Sequence, residues 1–276
     1  MNNLKISVIT VNYNNCEGLR RTMASVQEQT YANLEYIVID GGSTDGSAEA
    51  IPQSDPQPHY WVSEQDAGIY QAMNKGIRAS HGKYLLFLNS GDVFHRPDVV
   101  EKAVAEMSEG LDIYYGDALY DHHGQPETRI YPDRLDFDFF YVQNLSHQAT
   151  FIARSLFDRI SFYNESYRIV SDWEFFSVAI CKHQASYRHL AWLITIYDVN
   201  GISSDQENYP TMNAERDAVF ERHFQSFASN YSYLQTLKFK KLEQFLYIKT
   251  YPFSYKVLKA FMNFILLFLP RFRRQS

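Results

Sequence analysis

Lys5-Ile6-Ser7-Val8-Ile9-Thr10-Val11 runs into the turn Asn12-Tyr13-Asn14-Asn15, and Leu34-Glu35-Tyr36-Ile37-Val38-Ile39-Asp40 runs into Gly41-Gly42-Ser43-Thr44-Asp45-Gly46. Each run is short, apolar, rich in β-branched residues and closed by turn formers, as a strand buried on both faces is. From Glu17 onward Leu19, Met23 and Val26 recur at helical spacing, which predicts a helix to about Gln29. Strand, helix, strand in that order implies a right-handed crossover and a parallel sheet.

The alternation continues outward from there. Tyr60–Ser63 reads as a short strand, Ile69 to Ala79 as a helix and Tyr84–Leu88 as a buried central strand. Arg96-Pro97-Asp98 opens a further helix, with Pro at its first position and Gly110 beyond its end. A strand starting at Ile113–Gly116 is expected to pair with Glu127–Tyr131 across a turn at His122–Pro126. A strand near Ala149–Ala153, helices around Ser155–Ile160 and Asp172–Ile180, and a polar loop over 200–210 complete the reading. The expected class is α/β.

With 276 residues, 45% of them hydrophobic, the chain can bury a sizeable core. Its two cysteines, Cys16 and Cys181, are far apart, which argues against a disulfide scaffold or a zinc knuckle and assigns both to packing. The 21 Tyr and 20 Phe suit carbohydrate stacking, but most are expected in packing. No charged segment followed by an apolar one precedes the first strand, so a cytoplasmic location is expected. From Lys238 to Ser276 nine basic residues face the single acid Glu243; this +8 tail leaves −14 on residues 1–237 of a chain whose net charge is −6. An acidic body argues against a nucleic-acid partner.

Ligands of open parallel sheets bind beyond the carboxyl ends of the strands. Here those ends carry Asn12 and Tyr13, Asp40, and Asn89-Ser90-Gly91-Asp92. Gly41-Gly42-Ser43 has the spacing of neither the dinucleotide fingerprint nor the P-loop, so a bound phosphate needs another device. A carboxylate holding a divalent cation that neutralises a diphosphate is such a device.

Four stretches in order, Ser7–Asn14, Asp40–Ser47, Glu64–Gly76 and Gly82–Asp92, resemble the family 2 glycosyltransferases of bacterial polysaccharide assembly, over roughly residues 5 to 205. The resemblance implies a GT-A fold, a Rossmann-like, mostly parallel sheet flanked by helices, and transfer with inversion from a nucleotide-diphosphate sugar. In such enzymes the residues matching Val11 and Tyr13 line the base pocket and the match of Asp40 bonds the base, usually uracil. The match of Asp92 holds Mn²⁺ or Mg²⁺ on the diphosphate. Asp66, Asn89 and Ser90 are further candidate donor contacts, and His147 resembles a position near acceptor and donor phosphates. The family's general base is an acid opening a helix in the second half, which Ser171-Asp172-Trp173-Glu174 matches with Asp172; Glu174 is the rival. Many relatives carry Asp-x-Asp or Asp-x-Asp-Asp where this chain has Asn89-Ser90-Gly91-Asp92, so acid is missing at the loop.

The chemistry asks for the same minimum. A leaving diphosphate develops charge that a cation stabilises in a partly dry site. An attacking hydroxyl needs a separate base, which contributes about 10²–10⁴-fold. Several residues also have structural readings: Asp40 as a turn residue, Asp66 as a helix cap, Asp172 as a favourable charge at a helix start. His122 and His123 are read as solvated turn residues, Lys75 and Arg78 as surface cations.

Val257–Leu269 is the most apolar run, shorter than the roughly 20 residues that span a bilayer and interrupted by Lys259 and Asn263. With Lys240, Lys241 and Arg271-Phe272-Arg273-Arg274 around it, it reads as an interfacial helix on an anionic membrane face. The alternative is a core-docking helix or a dimer contact. The expected organisation is a catalytic domain over 1–235 and a basic helical region over 236–276, acting on a saccharide acceptor carried on a lipid. The alternative outside catalysis is an inactive sugar-nucleotide-binding or membrane scaffold protein, which Asp172 pointing away from the pocket would favour.

Overall fold

The computed structural model describes residues 4–121, 125–199, 201–237 and 240–268. Strand β1 (Ile6–Asn12) is buried along its whole length. Helix α1 (Cys16–Gln27) begins where the Asn15 side chain accepts the Gly18 N–H at 3.1 Å, and turns Leu19, Thr22, Met23 and Val26 inward. Next come β2 (Leu34–Asp40), the one-turn α2 (Ser47–Ala50), β3 (Tyr60–Ser63), α3 (Ile69–Ala79) and β4 (Tyr84–Phe87). The sequence expectation holds here almost residue for residue, because each apolar run is long enough and pure enough to state its own period.

The second half is β5 (Val93–Phe94), α4 (Val99–Glu106), β6 (Ile113–Asp121), β7 (Pro126–Arg129), α5 (Phe137–Val142), β8 (Thr150–Ala153), α6 (Arg154–Arg159), α7 (Ser171–Cys181) and β9 (Tyr187–Asp198). One sheet forms in the order β3-β2-β1-β4-β8-β6-β9-β5, with β7 on β6. The pairings make β3, β2, β1, β4, β6 and β9 run in one direction, while β8, β5 and β7 oppose them. The mostly parallel sheet expected from the sequence is therefore present. Its geometry gathers one edge: the carboxyl ends of the six co-directional strands, plus the turn entering β8, lie on the same side of the sheet. Aromatic rings pack against one another in the core, with Phe157 stacked on Phe175 at 4.5 Å and Tyr163 packed against both.

Three sequence expectations are corrected, and one strand is unannounced in the sequence. That strand is the twelve-residue β9; its burial is irregular, and its register against β6 shifts at Gly116/Asp117 and Asp117/Ala118, which erases any two-residue period. Pro97 lies outside α4, which starts at Val99, and its carbonyl instead accepts the Thr30 N–H at 2.9 Å. The polar stretch over 200–210 contains a turn of 3₁₀ helix, Gln206–Asn208, and then the start of α8 (Tyr209–Leu237), whose first turn tolerates Pro210 because no intrahelical donor is needed there. The β6–β7 pair sits one residue earlier than expected at its start and ends at Arg129; His122 and His123 lie outside the described residues.

The chain forms two compact units, Met1–Ala218 and Val219–Ser276. The second contains the rest of α8, then α9 (Lys240–Lys249) and α10 (Pro252–Leu266). No residue of α10 is buried, and no helix among the described residues is long and apolar enough to cross a membrane.

Candidate active site

Three clusters occupy the gathered edge. The first is built by β1, β2 and β3, whose register sets Asn12 beside Asp40 and Asp40 beside Ser63. The fully buried Asp40 carboxylate accepts from Asn12 Nδ2 at 2.6 Å, Ser43 Oγ at 2.6 Å, Ser63 Oγ at 2.5 Å and the Ser43 N–H at 3.0 Å. Burial pushes its pKa up, but these bonds outweigh burial and hold it below the ordinary value. Asp40 is thus more than a turn residue, yet its acceptor sites are already filled. Asn12 Oδ1 beside it is buried without a partner.

Tyr13 stands over this cluster, 69% exposed. Gly41 permits the approach, since a Cβ there would lie 3.3 Å from the Tyr13 ring and 3.6 Å from Asp66 Oδ2. Val11 is buried in the sheet, and its carbonyl accepts the Ser90 N–H at 3.1 Å. Asp66 does not cap α3, where Gly68 is the N-cap; its carboxylate pairs with Lys75 Nζ at 2.5 Å, and Lys75 also reaches Glu64 at 2.7 Å. Lys75 is therefore a paired, partly exposed cation rather than a free one. Arg78 lies over the Phe162 ring at 5.1 Å.

The second cluster is the loop after β4. Thr22 of α1 organises it: its hydroxyl lies 2.8 Å from the Asp92 carbonyl and accepts the Gly91 N–H at 2.9 Å. Asn15 Nδ2 donates to the Ser90 carbonyl at 3.1 Å. Asp92 is 3% exposed, and its Oδ1 accepts the backbone N–H of Asp198 at 2.9 Å. Burial pushes the Asp92 carboxyl up to about 7; the Asp198 N–H, the His147 ring and a bond from Gln148 oppose that, while the Asp198 charge adds to it.

The third cluster is the start of α7. Asp172 is 8% exposed, in the first turn, where the helix dipole favours its charge. Its Oδ2 lies 2.9 Å from His147 Nδ1 and accepts from Asn144 Nδ2 at 3.2 Å. Its Oδ1 is 3.0 Å from the Tyr70 hydroxyl, whose proton has a nearer acceptor in the Ile169 carbonyl at 2.5 Å. Oδ1 is therefore the less firmly held of the two oxygens. Glu215 steadies the approach to the helix, accepting the N–H groups of Arg168, Ile169 and Val170 at 2.7, 3.0 and 3.2 Å.

His147 joins the clusters. Its Nε2 lies 3.0 Å from Asn89 Nδ2. One tautomer satisfies both contacts: Nε2 accepts from the Asn89 amide while Nδ1–H donates to Asp172. The next residue, Gln148, has its Oε1 bonded by Ser146 Oγ at 2.7 Å, which turns its amide N–H groups toward Asp92. The turn entering β8 thus holds the acid of the second cluster with one residue and the acid of the third with its neighbour.

Every site residue named from sequence lies on this edge. Gln148, Asn144, Tyr70 and Asp198 are missed by the sequence reading; Tyr70 and Gln148 lie within or beside motifs already singled out, whereas Asp198 ends the strand with no legible period. Cys181 behaves as the sequence implied, its thiol pushed by burial up to about 11.

A family model described as "Glycosyl transferase family 2" matches residues 7–170. The chain belongs to glycosyltransferase family 2. Among curated glycosyltransferases it is 35% identical to an uncharacterized one of Mycobacterium tuberculosis over 208 residues, 73% of this chain and 78% of that protein. It is 30% identical over 175 residues to a PGL/p-HBAD biosynthesis glycosyltransferase of Mycobacterium bovis, 61% of this chain and 67% of that one. Among solved structures it is similar to S. aureus TarS 1-349 in complex with UDP-GlcNAc (TM-score 0.62, 17% identity, 89% of this chain, 79% of that chain). A mannosyltransferase from Pyrobaculum calidifontis in complex with GDP-Man and Mn²⁺ gives a TM-score of 0.57 at 14% identity, covering 92% of this chain and 86% of that chain. This family 2 chain is a glycosyltransferase with the GT-A fold.

The residues present fit a divalent cation. Asp92 is a buried carboxylate raised by its own burial, Asn89 Oδ1 on the same loop is buried without a partner, and both are the hard oxygen donors that Mn²⁺ and Mg²⁺ take. Among the described residues no three His, Cys, Asp or Glu side chains converge as a metal cage, so such a cation would complete its shell with diphosphate oxygens and water.

Proposed function

We propose that this glycosyltransferase moves a sugar, with inversion, from a nucleotide-diphosphate sugar, a UDP-sugar first among them, to a saccharide acceptor carried on a lipid, in the building of a surface polysaccharide. The observation that carries the reading is the bonded line Asp172–His147–Asn89, which sets a base candidate beside the loop of the cation candidate. The UDP-GlcNAc and GDP-Man complexes of its structural neighbours support the donor class.

Asp172 Oδ1 takes the proton of the acceptor hydroxyl as that oxygen bonds to the anomeric carbon, and the carbon–diphosphate oxygen bond breaks on the opposite face. His147 and Asn144 hold Oδ2 and so aim Oδ1. A divalent cation held by Asp92 would supply the charge that stabilises the departing diphosphate. Tyr13 over Gly41 offers a ring for the base, and the Asp40 cluster fixes the strand ends that frame it. With all its acceptor sites filled, Asp40 can bond a base N–H only if the Ser43 or Ser63 hydroxyl turns away.

The region over 236–276 is proposed to rest on the cytoplasmic face of a membrane. Phe253, Val257, Phe261 and Phe264 are all exposed at near-helical spacing on α10, and Phe268 is exposed just beyond it, with Lys256 and Lys259 between them. Flotation with anionic vesicles, lost on removing 236–276, checks this.

Calorimetric titration with UDP and GDP, with and without Mn²⁺, tests the donor assignment. Metal-dependent UDP binding that disappears in Asp92→Ala is the expected result. Binding of neither nucleotide under any metal condition would sink it.

A further inference from the structure

Asp172 lies in the first turn of α7, and the chain leading into that turn is held from another helix. Val170, which precedes α7, has an apolar side chain that caps nothing. Glu215, in the second turn of α8, reaches the segment instead. Its Oε1 accepts the Arg168 N–H at 2.7 Å, and its Oε2 accepts the N–H groups of Ile169 and Val170 at 3.0 and 3.2 Å.

One of these bonds bears on the base. The Val170 N–H and the Ile169 carbonyl belong to one planar peptide group, so they turn together. Glu215 holds the N–H side of that plane, and the carbonyl side accepts the Tyr70 hydroxyl at 2.5 Å. The same hydroxyl lies 3.0 Å from Asp172 Oδ1. Tyr70 is buried, and a phenol has a single proton to donate. With the Ile169 carbonyl in place, that proton has its nearer acceptor there. If the peptide plane turns away, Asp172 Oδ1 is the acceptor that remains. A carboxylate oxygen that already accepts a hydroxyl proton is a poorer base toward a second one.

Resting on the reading of Asp172 as the base, we propose that Glu215 is a positioning residue of the transfer reaction. It fixes the Ile169–Val170 peptide so that Tyr70 donates to the Ile169 carbonyl, and Asp172 Oδ1 stays open to the acceptor hydroxyl. Its effect reaches Asp172 through Tyr70, which gives it a signature that a general loss of packing lacks.

Isotope-edited infrared spectroscopy of the full chain reads this without a substrate. With the aspartate carboxyl carbons labelled, the band lost in Asp172→Asn is that of the Asp172 carboxyl group, and its frequency responds to the hydrogen bonds the group accepts. Glu215→Gln replaces the charged acceptor of the three N–H groups by a neutral amide. It is expected to shift the Asp172 band, and to leave the band where it is when added to Tyr70→Phe, as a double-mutant cycle requires of coupled groups. An Asp172 band unmoved by Glu215→Gln overturns the proposal. So does a shift of equal size with and without Tyr70→Phe, which would make Glu215 merely structural. Should Glu215→Gln fail to fold by its thermal transition, Glu215→Asp, which keeps the charge but draws it back by a methylene, carries the comparison. Wild-type turnover in Asp172→Asn would sink the base reading and this one with it; turnover lost in Asp172→Asn beside an unmoved band sinks this one alone.

Discussion

Asp40 and Asp92 both stand at strand ends on the same edge of one sheet, both are buried, and their carboxyl groups are pushed in opposite directions. Asp40 is surrounded by neutral donors that come from its own strand neighbours and the turn it opens, and is held low. Asp92 is pushed up by burial to about 7, with fewer donors to offset it and the Asp198 charge adding to the rise. The first arrangement is closed: nothing more is required for the charge to be comfortable. The second leaves burial only partly offset, and it is there that the cation proposed above would act. Burial alone therefore does not mark a working acid; what matters is whether the fold has already satisfied it.

The comparison can be broken at several points. The largest effect is expected outside both acids, at the base: Asp172→Asn should lower kcat by about 10²–10⁴-fold while leaving UDP affinity near wild type, and an equal loss in UDP binding would contradict the separation of roles. His147→Leu removes the imidazole contacts to Asp172 and Asn89. A loss of roughly 10- to 100-fold in kcat with little change in donor KM is expected, as for a hydrogen bond to a charged group.

A third carboxylate sharpens the contrast from the opposite edge of the sheet. Glu35, the second residue of β2, accepts from Ser7 Oγ at 2.5 Å, the His81 N–H at 2.7 Å and Lys5 Nζ at 3.0 Å. Burial raises its pKa, but these partners outweigh burial and bring it to about 2. A depressed folded pKa means stability that is present above the unfolded value and lost as pH falls toward about 2. Glu35→Gln should cost roughly 1–2 kcal/mol near neutral pH and flatten the acid limb of a pH–Tm curve, with no effect on UDP binding. The smallest effect belongs to Ser63→Ala, which removes one of the donors to Asp40: about 1 kcal/mol of stability, read by thermal unfolding, with the cluster otherwise intact.

The same two regions explain what could be read from sequence. β1, β2 and β4 are largely apolar runs, and Asp40 follows directly from the strand it ends. Asp92 was legible as a strand-end acid, and Asp172 as an acid opening a helix. What surrounds them was not. β9 pairs with β6 through two register shifts and carries no clean period, so its terminal Asp198 gave no local sign of meeting Gly91. Gln148 sits beside a histidine already singled out, but its bond to Asp92 depends on β8 lying antiparallel next to β4, a pairing that no short stretch declares. Non-local assembly hides such partners until the sheet order is known.

The central claim is that one edge carries two separate acids, Asp92 for the donor's diphosphate through a cation and Asp172 for the acceptor's proton. Its most direct test is one UDP titration in Mn²⁺ on three proteins: wild type, Asp92→Ala and Asp172→Asn. The account predicts wild-type affinity in Asp172→Asn and loss of the metal-dependent part in Asp92→Ala. Wild-type, metal-dependent UDP binding in Asp92→Ala would contradict it.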